Sequence, residues 1–151
     1  MSNYSKLILI TLIISIISKD LKEGDTHIKK ITVTEDLTAD KLGNTGIFVL
    51  ATPFLTNLVE VTCYEQIMPY LSEGEGSVGT AVNIHHMKAT PVGMEVTCKS
   101  TIIESDGRRI VFNVECHDEI DTVAEAQHER FIINKDKFLQ KVNAKVNMIK
   151  K

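Results

Sequence analysis

Cysteine is scarce in this chain: Cys63, Cys98 and Cys116 are the only three in 151 residues, far apart and without a C-x-x-C pair. That spacing supplies neither a zinc-ligand pattern nor a disulfide framework. Three free thiols, buried or half-buried in a reducing compartment, are the expectation. An excess of charge of one sign is also missing, since 20 acidic residues face 17 basic ones and the net charge is -3. The basic residues are scattered except in the Lys-rich last ten positions. Nothing in that distribution favours nucleic acid as a partner. No apolar run reaches the roughly 20 residues of a comfortable membrane span. The longest, Leu7 to Ile17, is preceded by Lys6 and followed by Ser18, Lys19 and Asp20. Ser15, Ile16, Ile17 and Ser18 make only a poor version of the small-residue pattern that signal peptidase needs. Residues 1–20 are therefore read as an N-terminal apolar extension of a cytoplasmic protein, with export or membrane anchoring as the alternative. Repeats, heptads and low-complexity tracts are absent.

What is present suits one domain, residues 21–151, with 43% hydrophobic residues to build its core. His27 to Glu35 alternates Ile28, Ile31 and Val33 with polar residues, as a strand does. Leu37 to Leu42 reads as a short helical turn closed by Gly43. The best helix runs from Thr52 to Leu71, with Thr52 as N-cap and Pro53 at the first helical position. Phe54, Leu55, Leu58, Val61, Ile67 and Met68 then recur at three- and four-residue spacing and mark a buried face. Pro69 loosens the far end, and Ser72 to Val78, rich in Gly and acid, reads as a loop.

The second half is strand-rich. Strands are expected over Thr80 to Ala89, Met94 to Glu104, Arg109 to Asp118 and Thr122 to Ile133, with Asp106-Gly107 as a hairpin turn. Met94, Val96, Cys98 and Ile102 share one face, as do Ile110, Phe112, Val114 and Cys116. On the last strand Ala124 and Ala126 leave room for a helix to pack close, and His128 and Arg130 follow on that face. Asn134 is placed to cap a C-terminal helix with Phe138, Leu139 and Val142 as its apolar stripe. The order of strand, long helix and four successive strands predicts an α+β hotdog fold, a curved antiparallel sheet wrapped around a central helix. One copy leaves a sheet edge open, and pairing with a second subunit is the usual remedy.

Five segments carry a family resemblance: Leu50-Ala51-Thr52-Pro53 leading to Glu60; Gly74-Glu75-Gly76-Ser77-Val78-Gly79-Thr80; His86 with Ala89-Thr90-Pro91 and Gly93; Asp106-Gly107-Arg108-Arg109; and His128-Glu129-Arg130. In this order and spacing the chain, from about Leu21 to Val146, resembles the fluoroacetyl-CoA-thioesterase-like branch of the hotdog superfamily. The resemblance implies an acyl-CoA thioesterase, active as a homodimer or dimer of dimers. It implies a catalytic set of Thr52, Glu60 and His86, with Gly79 and Arg130 binding substrate. No metal is implied, and no cofactor, because CoA is part of the substrate.

The residue types suit that chemistry. A thioester carbonyl is already electrophilic, so hydrolysis needs an activated nucleophile and a place for negative charge on oxygen. Glu60 can act as general base toward water or attack directly. Its bland alternative is a solvated helix glutamate. His85 and His86 must point to opposite faces of their strand, and the family spacing selects His86 as the one facing the helix. His27, His117 and His128 are expected to be packed polar residues. The Thr52 hydroxyl can cap the helix or orient water and Glu60. Gly79 can let the backbone approach the acyl group or be an ordinary loop glycine. Arg130 can grip a CoA phosphate, order a carboxylate across a dimer, or make a surface salt bridge. Two other functions remain open: an enoyl-CoA hydratase, for which no suitable aspartate precedes His86, and a non-catalytic acyl-CoA-binding module.

Overall fold

The computed structural model describes residues 20–150, so the apolar run Leu7 to Ile17 lies outside the described residues. Strand β1 (Thr26–Thr32) leads through two short 3-10 turns to helix α1 (Thr52–Ile67). Strands β2 (Glu75–His86), β3 (Glu95–Ser105), β4 (Arg109–His117) and β5 (Thr122–Asn134) follow, and helix α2 (Lys135–Ile149) ends the chain. All five strands form one antiparallel sheet in the order β1-β3-β4-β5-β2. With helix α1 packed on it, the sheet has the expected hotdog architecture.

The core lies between α1 and the inner face of the sheet. Val96, Cys98 and Ile102 of β3 and Ile110, Phe112, Val114 and Cys116 of β4 are all buried, as their alternation predicts. Helix α1 presents Leu55, Leu58, Val59, Thr62, Cys63, Gln66 and Ile67 to them. The expected stripe is only partly right. Met68 is exposed, whereas Thr62 and Gln66 are buried because each finds a partner. Thr62 donates to the Leu58 carbonyl, and Gln66 accepts from the Ser100 hydroxyl while donating to the Asp25 carbonyl. A buried polar group that is fully bonded costs little, so apolar spacing alone misplaces the buried face.

Four other expectations are corrected. The N-cap of α1 is Ala51, with Thr52 as first helical residue and no side-chain cap. The stretch Ser72 to Val78 is a loop only at its start, because Glu75, Gly76, Ser77 and Val78 pair with Asn134, Ile133, Ile132 and Phe131 of β5. Backbone pairing with an existing strand outweighs the poor strand propensity of glycine. The thiols are not all free, since Cys98 and Cys116 face each other in register across β3 and β4 and are joined as a disulfide. Only Cys63 is free, and burial pushes its thiol up to about 12, so it holds no thiolate at neutral pH. The stripe Phe138, Leu139 and Val142 of α2 is exposed rather than packed, although Asn134 caps that helix as expected by accepting from the Lys137 amide at 3.0 Å.

One irregularity in β2 decides what faces inward. Its register against β5 shifts between Gly79 and Ala81, so the bulge inserts one residue into the alternation. Before the bulge Ser77 points inward, where it meets Arg130; after it Ile84 and His86 do. A one-residue slip exchanges the two faces of a strand. The bulge therefore turns His86 toward α1 and leaves His85 on the outer face with Asn83, Lys99, Glu115 and Glu125.

Candidate active site

Thr52 is positioned by the loop that precedes it. The Leu50 amide donates to the Thr90 carbonyl at 2.9 Å, the Ala51 amide donates to the Leu37 carbonyl at 2.9 Å, and Val49 bridges to Pro91. Thr90 is in turn fully buried, its hydroxyl donating to Asp118 at 2.9 Å. Its conformation thus holds the entry of α1 in place. With no capping bond to make, the Thr52 hydroxyl is free to meet His86, and its oxygen lies 2.8 Å from His86 Nδ1. The other ring nitrogen, Nε2, is buried and has no hydrogen-bond partner among the described residues. Burial holds the His86 ring below the ordinary histidine range, partly offset by the Lys88 backbone, so it is neutral at pH 7.

Glu60 is elsewhere. It stands eight residues after Thr52 on the same helix, which at 1.5 Å per residue places it about 12 Å along the axis. Its side chain is half exposed and its Oε2 lies 3.9 Å from an Arg130 guanidinium nitrogen. Arg130 is no surface residue. It is 6% exposed, with Nε donating to the Ser77 hydroxyl at 3.1 Å and a terminal nitrogen to the Ser77 carbonyl at 3.0 Å. Its guanidinium also lies 5.6 Å from the centre of the Tyr64 ring. The carboxylate beside it is Glu60 of its own chain, whereas the expected one lay across a dimer.

Gly79 explains why these groups can meet. A Cβ there would stand 3.1 Å from His128 Cε1, 3.2 Å from Glu60 Oε2 and 3.5 Å from the Arg130 guanidinium. Its backbone needs no positive φ, so the demand is for space alone. His128, expected only to pack, belongs to this cluster: its ring is 1% exposed, with Nδ1 donating to the Ala81 carbonyl at 2.8 Å. Its i, i+2 spacing from Arg130 on an inward strand face is the signal in the sequence that points to it.

One chain therefore holds two separate clusters, Thr52 with His86 at the start of α1, and Glu60 with Gly79, His128 and Arg130 two turns on. Among the described residues no group of three His, Cys, Asp or Glu side chains converges as a metal site would require. None of the described helices is long and apolar enough to cross a membrane.

Thr52→Ala tests the first cluster. Because the side chain caps nothing, stability should change by less than about 0.5 kcal/mol. Turnover should fall about tenfold, the scale of one lost hydrogen bond to His86. A melting curve read beside turnover checks both, and a stability loss near 1 kcal/mol would return Thr52 to a capping role.

Residues 33–136 match the family model described as fluoroacetyl-CoA-specific thioesterase. A fluoroacetyl-CoA thioesterase of Streptantibioticus cattleyicolor is 41% identical over 97 residues, covering 64% of this chain and 70% of that protein. The crystal structure of a point mutant of the fluoroacetyl-CoA-specific thioesterase FlK superposes with a TM-score of 0.78 at 34% identity, covering 83% of this chain and 97% of that one. A thioesterase superfamily member from Thermus thermophilus superposes with a TM-score of 0.75 at 27% identity, covering 87% of this chain and 95% of that one.

Proposed function

The chain belongs to the fluoroacetyl-CoA-specific thioesterase family, and from that premise we propose that it hydrolyses a small or short-chain acyl-CoA to the free acid and CoA in a site shared by two subunits. Two observations carry the shared site: Thr52, which meets His86 of β2, is separated from Glu60 along α1, and the buried His86 Nε2 lacks a partner among the described residues. Strand β2 is one of the two edge strands of the sheet, and Gly79 to Asn83 are all exposed along it. An exposed edge invites pairing, and a two-fold partner pairs isologously. Antiparallel pairing of two β2 strands through that run sets the His86 end of one against the Gly76 to Gly79 stretch of the other. The two clusters then face each other across the interface.

In the completed site the carboxylate of Glu60 takes a proton from water, which attacks the thioester carbonyl. Arg130 holds that carboxylate. The proton that Glu60 took from water passes to the departing thiolate, relayed by the neutral imidazole of His86, which Thr52 steadies and which faces the thioester with Nε2, so that both groups end as they began. At the start of α1 the Thr52 backbone N–H can receive the oxyanion, since Pro53 has no N–H and those of Phe54 and Leu55 donate to the Ala51 carbonyl. His86 is paired with a threonine rather than an aspartate, which favours hydrolysis over hydration of an enoyl-CoA. Free-thiol release across a panel of acyl-CoAs tests the reading. Release of CoA with at least one short acyl group is expected; tight acyl-CoA binding with no release on any member would make the chain a binding module.

A further inference from the structure

We propose that His128 is a positioning residue, whose neutral imidazole accepts a hydrogen bond from Arg130 and so holds the guanidinium toward Glu60. This rests on the thioesterase reading above, in which Glu60 activates water. The two partners of the ring assign its protons. Nδ1 lies 2.8 Å from the Ala81 carbonyl, which can only accept, so Nδ1 carries hydrogen. Nε2 lies 3.2 Å from the Arg130 nitrogen NH1, which can only donate, so Nε2 must offer its lone pair. The same NH1 is the atom that lies 3.9 Å from Glu60 Oε2. It carries two hydrogens, so one serves His128 and the other is left for the carboxylate.

The ring itself has little freedom. Phe112, directly across on β4, stacks on it with centroids 6.4 Å apart and planes 25° off parallel. The bulge in β2 supplies the Ala81 carbonyl, and Gly79 leaves space for the ring edge. A protonated His128 would turn a second N–H against the guanidinium, exchanging attraction for repulsion between two buried cations. The charged groups around it are Arg130 and Glu129 from its own strand and Glu60 from α1; β2 and β4 face it with Ala81, Gly79 and Phe112. Burial outweighs them and lowers its pKa from the ordinary value, with Arg130 lowering it further and Glu60 and Glu129 opposing. The ring is thus neutral at pH 7 and gains a proton only on acidification, when its bond from Arg130 NH1 is lost while those to Ser77 stay.

Two substitutions separate this role from mere packing. His128→Gln places an amide oxygen near the Nε2 position and does not titrate; His128→Asn keeps a donor for Ala81 but cannot reach Arg130. The glutamine variant should keep kcat/KM within about threefold of wild type at pH 8, and the asparagine variant should lose about ten- to a hundredfold, chiefly in kcat. As pH falls below the ordinary histidine range, the ratio of glutamine-variant to wild-type activity should rise. A flat ratio, or an asparagine variant with wild-type kcat, overturns the proposal. Nitrogen chemical shifts of histidine-labelled wild-type protein read the tautomer with no variant and no substrate. The neutral Nδ1–H form at pH 7 is expected, and the Nε2–H form or a charged ring refutes the role even if the chain hydrolyses acyl-CoA well. Failure of wild type to hydrolyse any acyl-CoA would sink the thioesterase reading and leave the tautomer result standing.

Discussion

Replacing Glu60 by Gln or His86 by Ala should lower kcat by about 10²- to 10⁴-fold, the usual contribution of a general acid or base, while KM moves much less. The reason lies in when each group acts. Proton transfer to or from water develops only in the transition state, so losing it removes transition-state binding and leaves substrate binding nearly intact. Steady-state kinetics with the best acyl-CoA of the panel reads the split. The double variant should be scarcely worse than the poorer single one, because groups that serve one proton-transfer event are not additive. His85→Ala is the control, since the bulge leaves that ring on the outer face among Asn83, Lys99, Glu115 and Glu125. Near-normal turnover by Glu60→Gln on every substrate would refute the mechanism.

Much of this site is legible in the amino-acid sequence, and the parts that are not share a cause. The inward faces of β3 and β4 follow from patterns local to each element, whereas Thr52, Glu60 and His86 are singled out only by the resemblance of their segments to a known family. What escapes such patterns depends on partners distant in sequence. Cys98 and Cys116 are 18 residues apart and meet only because β3 and β4 pair in that register. Glycine-rich residues 75–78 form a strand only because β5 is there to pair with. Gln66 is buried because Ser100 and Asp25 meet it from other elements. Thr52 reads as a cap because threonine often is one, yet the loop fixed by Thr90 starts the helix a residue earlier. Alternation alone does not choose between His85 and His86 either. The bulge makes that choice, and a bulge leaves no mark in the sequence beyond a glycine at its start.

A mixed dimer of one Glu60→Gln chain and one His86→Ala chain should recover about half the wild-type activity, although each parent homodimer is nearly inactive. Suppose that each site joins His86 of one subunit to Glu60 of the partner subunit. In the mixed dimer the intact histidine of the first chain then faces the intact glutamate of the second, giving one whole site. The other site carries both lesions and contributes nothing. If each site were instead built within one chain, both would keep a lesion and the mixture would stay as inactive as its parents. The separation of about 12 Å along α1 and the unpartnered Nε2 of His86 argue for the first arrangement. Co-expression with two different affinity tags and sequential purification isolates the mixed dimer, and thiol release per dimer supplies the readout. Recovery to about half fixes the site across the subunit interface and accounts for the exposed run of β2. Activity that stays 10²- to 10⁴-fold down would place Glu60 with His86 of its own chain, and failure to capture any doubly tagged species would show that the chain does not dimerise.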